Sequence, residues 1–361
     1  MSPPSPTLAA TGLASGPIAS TELARQAVTQ ALDKLGQPAA SSLLLLLSAD
    51  FAPDPQAAIR AAAQTAGTLQ VAGCSATGIL TEQDWIIDAP AAAALVLARP
   101  WQLTHAPAAG HRPQLCLAAP NAINTGWLQG SAPCFGGVAG DMTGRGQYKV
   151  WSDARIRADG KARWHSVGCT PRLLLAHGLQ RISPPFTVTA SQQLNLHTLD
   201  QRPALATLAA TGLLDTTPLA QLRLAVLHGD DPDNDTALLP IPLIAVNPDG
   251  SVTVARQLQP GERVCWARQS PALSEPALAA RLAAYRQRHG PPDFALLFSC
   301  ASRGPQCWNG QDRDWQQLRH AFPATPLLGM YGNGQFAPAA GANRLLDGAL
   351  LLALFHGEDD V

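Results

Sequence analysis

Two similar segments, about 250 residues apart, constrain the fold of this chain more than any other feature of its sequence. Each contains a short apolar run, a stretch with a helical pattern, a second apolar run that carries two glycines five residues apart, and a closing apolar run. These runs are 43–47, 71–78 and 91–98 in the first copy, and 294–298, 328–334 and 345–355 in the second. Two such βαββ-like units at opposite ends of one chain predict two related lobes.

The paired glycines are Gly73 with Gly78, and Gly329 with Gly334. Glycine at the end of a strand permits backbone conformations and close approaches that a side chain would block. Each pair therefore predicts a glycine loop that either makes a tight turn or approaches a ligand closely.

The overall pattern predicts an α/β fold with mixed sheets and helices packed on their faces. Short, continuous apolar runs such as 43–47 are typical of strands that are buried on both sides. Helix signals lie between such runs, for example Asp54-Pro55 ahead of an alanine-rich stretch that ends at Gly67. Hairpin turns are predicted at 159–160 and 249–250, where aspartate precedes glycine.

The length of 361 residues exceeds what a single core comfortably organises and predicts two domains. The predicted division is a disordered leader over 1–19, a first domain over 20–200 and a second domain over 201–357. The leader starts with prolines and serines and has no basic n-region, which argues against a secretory signal. An acidic loop is predicted over 228–235.

Composition argues against several classes of function. The chain has 25 Lys and Arg against 26 Asp and Glu, so it lacks the basic charge that a nucleic-acid backbone requires. Its longest apolar runs are well short of the roughly 20 residues of a transmembrane helix. Seven scattered cysteines without a Cys-x-x-Cys pair are typical of a reducing cytosol. We therefore expect a cytoplasmic protein that binds no nucleic acid and does not span a membrane.

No motif predicts a metal or a cofactor. No two histidines are three or four residues apart, and neither a P-loop nor a Gly-x-Ser-x-Gly elbow is present. The glycine-rich segment 135–141 lacks the Gly-x-Gly-x-x-Gly spacing of a dinucleotide site. Asp141, at the end of that segment, is interpreted either as a contact for a ligand amine or hydroxyl or as the cap of a turn.

Cys300 stands at the end of a predicted strand, a position where α/β proteins often bind ligands. Arg303 follows three residues later, and a cation close to a thiol makes that thiol more reactive. The alternative interpretation is a small buried hydrophobic residue at the end of a strand. The sequence leaves both interpretations open.

Several motifs together resemble the FIST family, named for F-box and intracellular signal transduction proteins. The N-terminal pattern of the family is similar to segments 48–50, 71–78 and 135–141 of this chain. The middle pattern is similar to 177–178, 184–189 and 202–205, and the C-terminal pattern is similar to 298–304 and 326–335. The order and spacing of these motifs over residues 40 to 350 carry the resemblance.

The resemblance implies a sensory module that binds a small ligand, with amino acids and small carboxylates as the suspected classes. Because the two FIST-like halves take up nearly the whole sequence, the expected signalling partner is a separate protein that acts in trans. Two departures from the family pattern are visible. Gln335 stands where the family usually has glutamate, and the middle segment has Leu179 and Ser183 where the family has other residues, which predicts a different lining.

The resemblance and the residues together predict a ligand site near the three glycine segments 73–78, 135–141 and 329–335. Arg303 would bind a carboxylate, and Asp141 or Gln335 would meet an amine. The residues predicted to contact the ligand are Gly73, Cys74, Ser75, Thr77, Gly136, Gly137, Asp141, Cys300, Arg303, Tyr331, Asn333 and Gln335. Two other functions stay open at this point: an enzyme that uses Cys300 as a nucleophile in acyl or thiol chemistry, and an adaptor without a ligand.

Overall fold

A computed structural model of the chain describes residues 7–106, 112–129, 132–141, 146–227, 238–339 and 341–358. The helices are α1 (Thr21–Leu35), α2 (Gln56–Ala66), α3 (Thr125–Leu128), α4 (Ala204–Ala209), α5 (Pro271–His289) and α6 (Arg313–Ala321). The strands of the N-terminal part are β1 (Ala9–Ser15), β2 (Ser42–Ser48), β3 (Val71–Ala76), β4 (Gly78–Thr81), β5 (Trp85–Ile87), β6 (Ala91–Leu97), β7 (Gln102–Thr104), β8 (Gln114–Ala118), β9 (Cys134–Val138), β10 (Val150–Ser152), β11 (Arg155–Ile156), β12 (Lys161–Val167) and β13 (Cys169–Ala176).

The strands of the C-terminal part complete the α/β fold that the sequence predicted. They are β14 (Leu179–Arg181), β15 (Phe186–Gln192), β16 (Asn195–Leu199), β17 (Arg202–Pro203), β18 (Leu222–Leu227), β19 (Leu238–Val246), β20 (Val252–Val254), β21 (Arg263–Gln269), β22 (Phe294–Cys300), β23 (Leu327–Gly332), β24 (Gln335–Ala339), β25 (Ala342–Leu346) and β26 (Leu350–Gly357). The predicted acidic loop over 228–235 lies outside the described residues.

The chain forms two compact units. The first unit contains Met1–Ala176, Leu278–Pro338 and Ala342–Val361, and the second contains His177–Ala277 and Ala339–Gly341. The sequence predicted a single boundary after residue 200 and one copy of the repeat on each side of it. Both copies instead lie in the first unit, because their strands pair with each other across the chain.

Two six-stranded sheets of the first unit have the same internal arrangement. Their orders are β1-β6-β2-β3-β10-β11 and β13-β26-β22-β23-β4-β5. In each, two parallel strands joined through a helix form the centre. An antiparallel strand pairs with the earlier of them, and a second antiparallel strand pairs with that one on its outer side. The structure thereby confirms the βαββ pattern of the repeat.

A strand of the first copy joins the sheet of the second. β4 directly follows β3 in the chain but pairs with β23 of the other copy, with Gly78 opposite Tyr331 and Thr81 opposite Leu328. The place beside β3 is taken by β10, in which Val150 is opposite Cys74. The sheet of the second copy therefore contains β4 and β5 from the N-terminal part of the chain, which links the two copies through strand pairing.

Alternation along the strands explains how the core forms. In β2, Leu44 and Leu46 face a central cluster that also contains side chains from the other sheets. The intervening residues Leu43, Leu45 and Leu47 pack with the helices α1 and α2 on the opposite face. A continuous leucine run is therefore needed because both faces of this strand are covered.

A third sheet, of order β25-β24-β9-β8-β12-β7, also contributes to the central cluster, through Leu115 and Phe135 among others. Phe298 and Met330 of the second copy belong to the same cluster. The three sheets of the first unit therefore share one apolar core.

The second unit is a closed ring of six antiparallel strands, β15-β16-β20-β19-β18-β21, in which β21 pairs with both β18 and β15. Its core contains the fully buried Trp266. The indole nitrogen of Trp266 donates to the Thr207 hydroxyl at 3.0 Å, so the polar atom of this large side chain is satisfied within the core.

The structure corrects two local predictions. Ala9–Ser15, within the predicted leader, forms β1 and pairs with β6 along its whole length. The weak strand propensity of alanine and glycine hid this strand, which is stabilised by its neighbour. The hairpin that follows residue 148 turns at Asp153 and Ala154, whose φ angles are 53° and 57°, and not at the predicted Asp159-Gly160.

A substitution at Gly73 tests how closely the strands pack at the centre of the first sheet. A Cβ atom there would lie 1.8 Å from the Leu45 carbonyl oxygen and 2.4 Å from Nε1 of Trp151. We expect Gly73→Ala to lower the free energy of unfolding by about 3 kcal/mol, since neither neighbour can move freely. Gly126→Ala is the control, because the nearest atom to its Cβ would be Asn124 Oδ1 at 3.6 Å. Equal urea midpoints for the two variants would contradict this account.

Candidate functional site

Most residues of the predicted glycine loops lie in β-strands. Segment 73–78 belongs to β3 and β4, 329–335 to β23 and β24, and 135–141 to β9 and the residues after it. The glycines are required by neighbouring backbone: a Cβ atom on Gly136 would lie 1.9 Å from the Cys116 carbonyl oxygen. The loop prediction is therefore wrong for most of these residues, although the close approach that motivated it is present.

The ends of β3, β9 and β23 meet at one place in the first unit. The Thr77 N–H donates to the Tyr331 carbonyl at 3.0 Å, and the Asn333 N–H donates to the Val138 carbonyl at 3.1 Å. The Gly140 N–H closes the ring by donating to the Ser75 carbonyl at 3.3 Å. Three segments that are distant in sequence are thus linked by their own backbone groups.

We define the strand-end junction as the polar side chains around these links: Thr77, Asp141, Tyr148, Asn333 and Gln335. A Cβ atom on Gly140 would lie 2.6 Å from Thr77 Oγ1 and 3.2 Å from Asn333 Oδ1, so both side chains reach the Gly140 backbone. Asn333 is exposed, whereas Thr77 and Gln335 are buried. The junction therefore extends from solvent into the interior.

Tyr148 and Asp141 form the half-buried side of the junction. The Tyr148 hydroxyl donates to Asp141 Oδ1 at 3.4 Å. Burial and then the neighbouring Asp141 carboxylate raise the pKa of Tyr148, so the phenol keeps its proton and remains a donor. Sequence reasoning missed Tyr148, because no local motif links residue 148 to the ends of β3 and β23.

Two buried side chains of the junction have unsatisfied polar atoms. Gln335 has no exposed surface, and neither Nε2 nor Oε1 has a hydrogen-bond partner among the described residues. The Thr77 hydroxyl, on a residue that is 5% exposed, also has no partner there. Such groups are rare in folded proteins and call for an explanation, since an unpaired buried polar atom destabilises the fold.

Arg303 is not available for a ligand carboxylate. Its Nε donates to Asp314 Oδ2 at 2.6 Å and its Nη2 to Asp314 Oδ1 at 3.1 Å, and the two side chains are 0% and 2% exposed. The bidentate carboxylate that the sequence predicted for Arg303 is thus supplied by helix α6 of the same chain. We remove Arg303 from the candidate site.

Tyr331 belongs to the same buried network as Arg303. Its hydroxyl donates to Asp312, which also caps α6 by accepting from the Trp315 N–H at 2.8 Å. Burial raises the pKa of Asp312. Tyr331 therefore anchors the start of α6, and only its backbone carbonyl takes part in the strand-end junction.

The cysteines of the predicted site lack the properties of a nucleophile. Cys300 Sγ lies 3.3 Å from Asp347 Oδ1 and accepts from the Ser302 hydroxyl at 3.1 Å. Burial and then Asp347 raise the pKa of Cys300, which keeps the thiol protonated. Burial raises the pKa of Cys74 to about 12, and its Sγ lies 3.6 Å from the sulfur of Met330 in the core. These observations do not favour the cysteine-enzyme interpretation.

The remaining predicted residues support the strands that surround the junction. Ser75 Oγ accepts from the Lys149 N–H at 3.0 Å and so holds the chain ahead of β10 against β3. Gly137 is opposite Gln335 in the β9–β24 pair. A Cβ atom on Gly137 would be 2.8 Å from the Phe298 ring, so only glycine lets β9 lie this close to the core.

No helix in the described parts of the chain is both long and apolar enough to cross a membrane. No group of three or more His, Cys, Asp or Glu side chains in those parts is arranged to hold a metal ion.

Comparison with known proteins identifies two adjoining family domains. The FIST N domain matches residues 42–202, and the FIST C domain matches residues 201–338. FIST domains are signal-transduction sensory domains. Two similar proteins are MT0656 and Rv0628c of Mycobacterium tuberculosis, both described as uncharacterized. Each is 25% identical over 232 residues, which covers 61% of this chain and 60% of the relative's own length.

The internal role of Arg303 can be tested by stability. We expect Arg303→Met to lower the free energy of unfolding by about 3–5 kcal/mol, because Asp314 is left buried without its partner. Replacing both residues, as Arg303→Met with Asp314→Leu, should recover most of the loss. Arg60→Met, at an exposed arginine on α2, is the control and should change the free energy by less than about 0.5 kcal/mol. Urea unfolding measures all three, and an Arg303→Met variant as stable as the parent would refute the structural role.

Proposed function

Because the chain belongs to the FIST family of signal-transduction sensory domains, we propose that it is a sensory protein that binds a small polar ligand at the strand-end junction. The bound state is then passed to a signalling partner in trans. The observation that carries this proposal is the pair of buried, unsatisfied side chains, Thr77 and Gln335.

The energetic argument rests on the cost of unpaired groups. Each buried polar atom without a partner destabilises the folded protein by about 1–3 kcal/mol. A ligand that supplies the missing hydrogen bonds to Thr77 Oγ1 and to the Gln335 amide recovers this free energy on binding. Arg303 and Asp314 show the alternative within the same unit, since these two buried charged groups are paired with each other.

The junction favours a ligand that carries both an amine and a carboxylate. Asp141 is an anionic acceptor at the half-buried edge, suited to an ammonium or hydroxyl group. The Thr77 hydroxyl and the Gln335 amide are neutral donors suited to a carboxylate. Glutamate, which is usual in the family at position 335, would repel a carboxylate, so glutamine at this position extends the ligand class toward amino acids and small carboxylates.

The junction lies where three sheets meet, and this position is how we expect a bound ligand to affect a partner. Residues from β3, β9 and β23 belong to three different sheets of the first unit and are linked by backbone hydrogen bonds at these strand ends. A ligand bound among them favours whichever arrangement of the three ends gives it more contacts. The difference between the ligand's binding free energies for the two arrangements is the free energy that can change the affinity for a partner.

A thermal-shift screen against amino acids and small carboxylates tests the proposal directly. A ligand at 100 times its dissociation constant adds about 2.7 kcal/mol to stability. In a chain of this size that corresponds to a rise in Tm of roughly 5–10 °C. We expect a selective response to one chemical class, and no response to any amino acid or small carboxylate would contradict the proposed ligand class.

Thr77→Val separates a binding role from a structural one. Because the hydroxyl is buried without a partner, we expect the variant to be as stable as the parent or more stable by about 1 kcal/mol. The affinity for the ligand found in the screen should fall about tenfold, the value of one hydrogen bond. Thr65→Val is the control, since Thr65 donates to the Ala61 carbonyl within α2 at 2.9 Å.

The outcomes distinguish the two roles. Loss of stability with unchanged affinity, by urea unfolding and calorimetry, would show that Thr77 is structural and would refute the proposed site. A Gln335→Leu variant should behave like Thr77→Val. Gln335→Glu should weaken carboxylate ligands more than it weakens simple amines, because it adds a negative charge.

A further inference from the structure

Cys116 and Cys134 lie side by side on neighbouring strands of the third sheet. β8 and β9 are parallel, and Cys116 is opposite Gly136, so Cys134 is two residues from the partner of Cys116 and shares its face. Both belong to a buried cluster that also contains Val138 and Phe336. The Cys134 thiol donates to the Ala132 carbonyl oxygen at 3.9 Å.

The backbone holds the two cysteines close together. A Cβ atom on Gly136 would lie 1.9 Å from the Cys116 carbonyl oxygen, so β9 approaches β8 more closely than a larger residue would allow. The Cys134 N–H donates to Asn343 Oδ1 at 2.7 Å, which anchors the first residue of β9. The thiol pair is therefore built into the strands and does not depend on a surface loop.

Arg163 provides a positive charge beside the thiols. It is opposite Cys116 in the antiparallel pair of β12 with β8. Its guanidinium lies 4.6 Å from the centroid of the Trp127 ring and donates to the Trp127 carbonyl. Among the described residues no carboxylate forms an ion pair with Arg163, so the anion best placed to neutralise it is a thiolate of Cys134.

The surroundings of the two thiols shift their pKa values in opposite directions. The hydrogen bond from Cys116 lowers the pKa of Cys134 to about 7 against the opposing effect of burial, and Arg163 adds to the lowering. Burial raises the pKa of Cys116 well above its usual value. At neutral pH one thiol is therefore substantially ionised while its neighbour keeps its proton.

We propose that Cys116 and Cys134 are a peroxide-reactive dithiol that closes to an intramolecular disulfide. The Cys134 thiolate attacks one oxygen of hydrogen peroxide, the O–O bond breaks, and hydroxide leaves to give a sulfenic acid. The Cys116 sulfur then attacks the Cys134 sulfur, loses its proton and displaces the hydroxyl as water. In total two thiols are oxidised to one disulfide, and one peroxide is reduced to two waters.

Because both thiols are buried, the size of a reagent decides whether it can reach them. Neither cysteine has exposed surface, whereas Cys307 is exposed and is the accessible thiol among the seven. Hydrogen peroxide is small enough to enter on local opening, and bulky maleimides are not. The site should thus respond to a peroxide and ignore large alkylating reagents in the folded protein.

The experiment treats full-length Cys307→Ser protein with hydrogen peroxide at pH 7 and maps the thiols by mass spectrometry without reduction. We expect peptides joined by a Cys116–Cys134 disulfide. Cys116→Ser in this background should stop at a sulfenic acid on Cys134, which dimedone traps when the oxidised protein is unfolded in its presence, and Arg163→Gln should slow oxidation about tenfold or more. The oxidation rate should rise with pH up to about 7 and then level off, as the thiolate of Cys134 forms.

Cys74→Ser is the matched control, because Cys74 is equally buried but its pKa is raised to about 12. It should leave the disulfide and the rate unchanged. Retention of both Cys116 and Cys134 as free thiols in folded protein would overturn the proposal, and so would oxidation at equal rates in the parent and in Arg163→Gln. Circular dichroism confirms that each variant is folded before its rate is compared.

Discussion

The pairing of β4 with β23 is the contact on which the rest of the first unit depends. It takes the chain out of the first copy of the repeat immediately after β3 and places Gly78–Thr81 in the sheet of the second copy. Thr77 is the single residue between the two strands, so it stands where the chain passes from one sheet to the other. The crossing leaves room beside β3 for β10 and brings the ends of three sheets within hydrogen-bonding distance of one another.

The strand-end junction follows from this crossing. Backbone bonds from Thr77, Gly140 and Asn333 satisfy the main chain at the place where the sheets meet. The side chains at the junction are different: those of Thr77 and Gln335 are buried and have polar atoms without hydrogen-bond partners among the described residues. By contrast, Arg303, Asp314, Asp312 and Tyr331 form a network in which charged and polar groups face each other. The unpaired groups of the junction are the reason that we propose it, and not the Arg303–Asp314 network, as the ligand site.

Chemical type at a strand end proved a poor guide to role. Arg303 and Cys300 have the residue types of a ligand clamp and a nucleophile, and both follow a strand, yet each is occupied by a carboxylate of its own chain. The thiol with the lower pKa is Cys134, which the sequence did not single out. Its properties come from Cys116 and Arg163 on two other strands, and such neighbours cannot be inferred from spacing along the chain.

The sequence by itself determined the repeat, its leucine-rich core strands and the helices between them, but it missed β1. Continuous apolar runs and glycine positions depend on local periodicity and on backbone approach, which are written in consecutive residues. Only the tertiary structure decided which sheet each strand joins, and therefore which polar groups meet and which remain unpaired. The physical reason is that strand pairing depends on burial and packing over the whole chain. All four residues of β4 are buried between β23 and β5, and no local pattern encodes a pairing with a strand about 250 residues away.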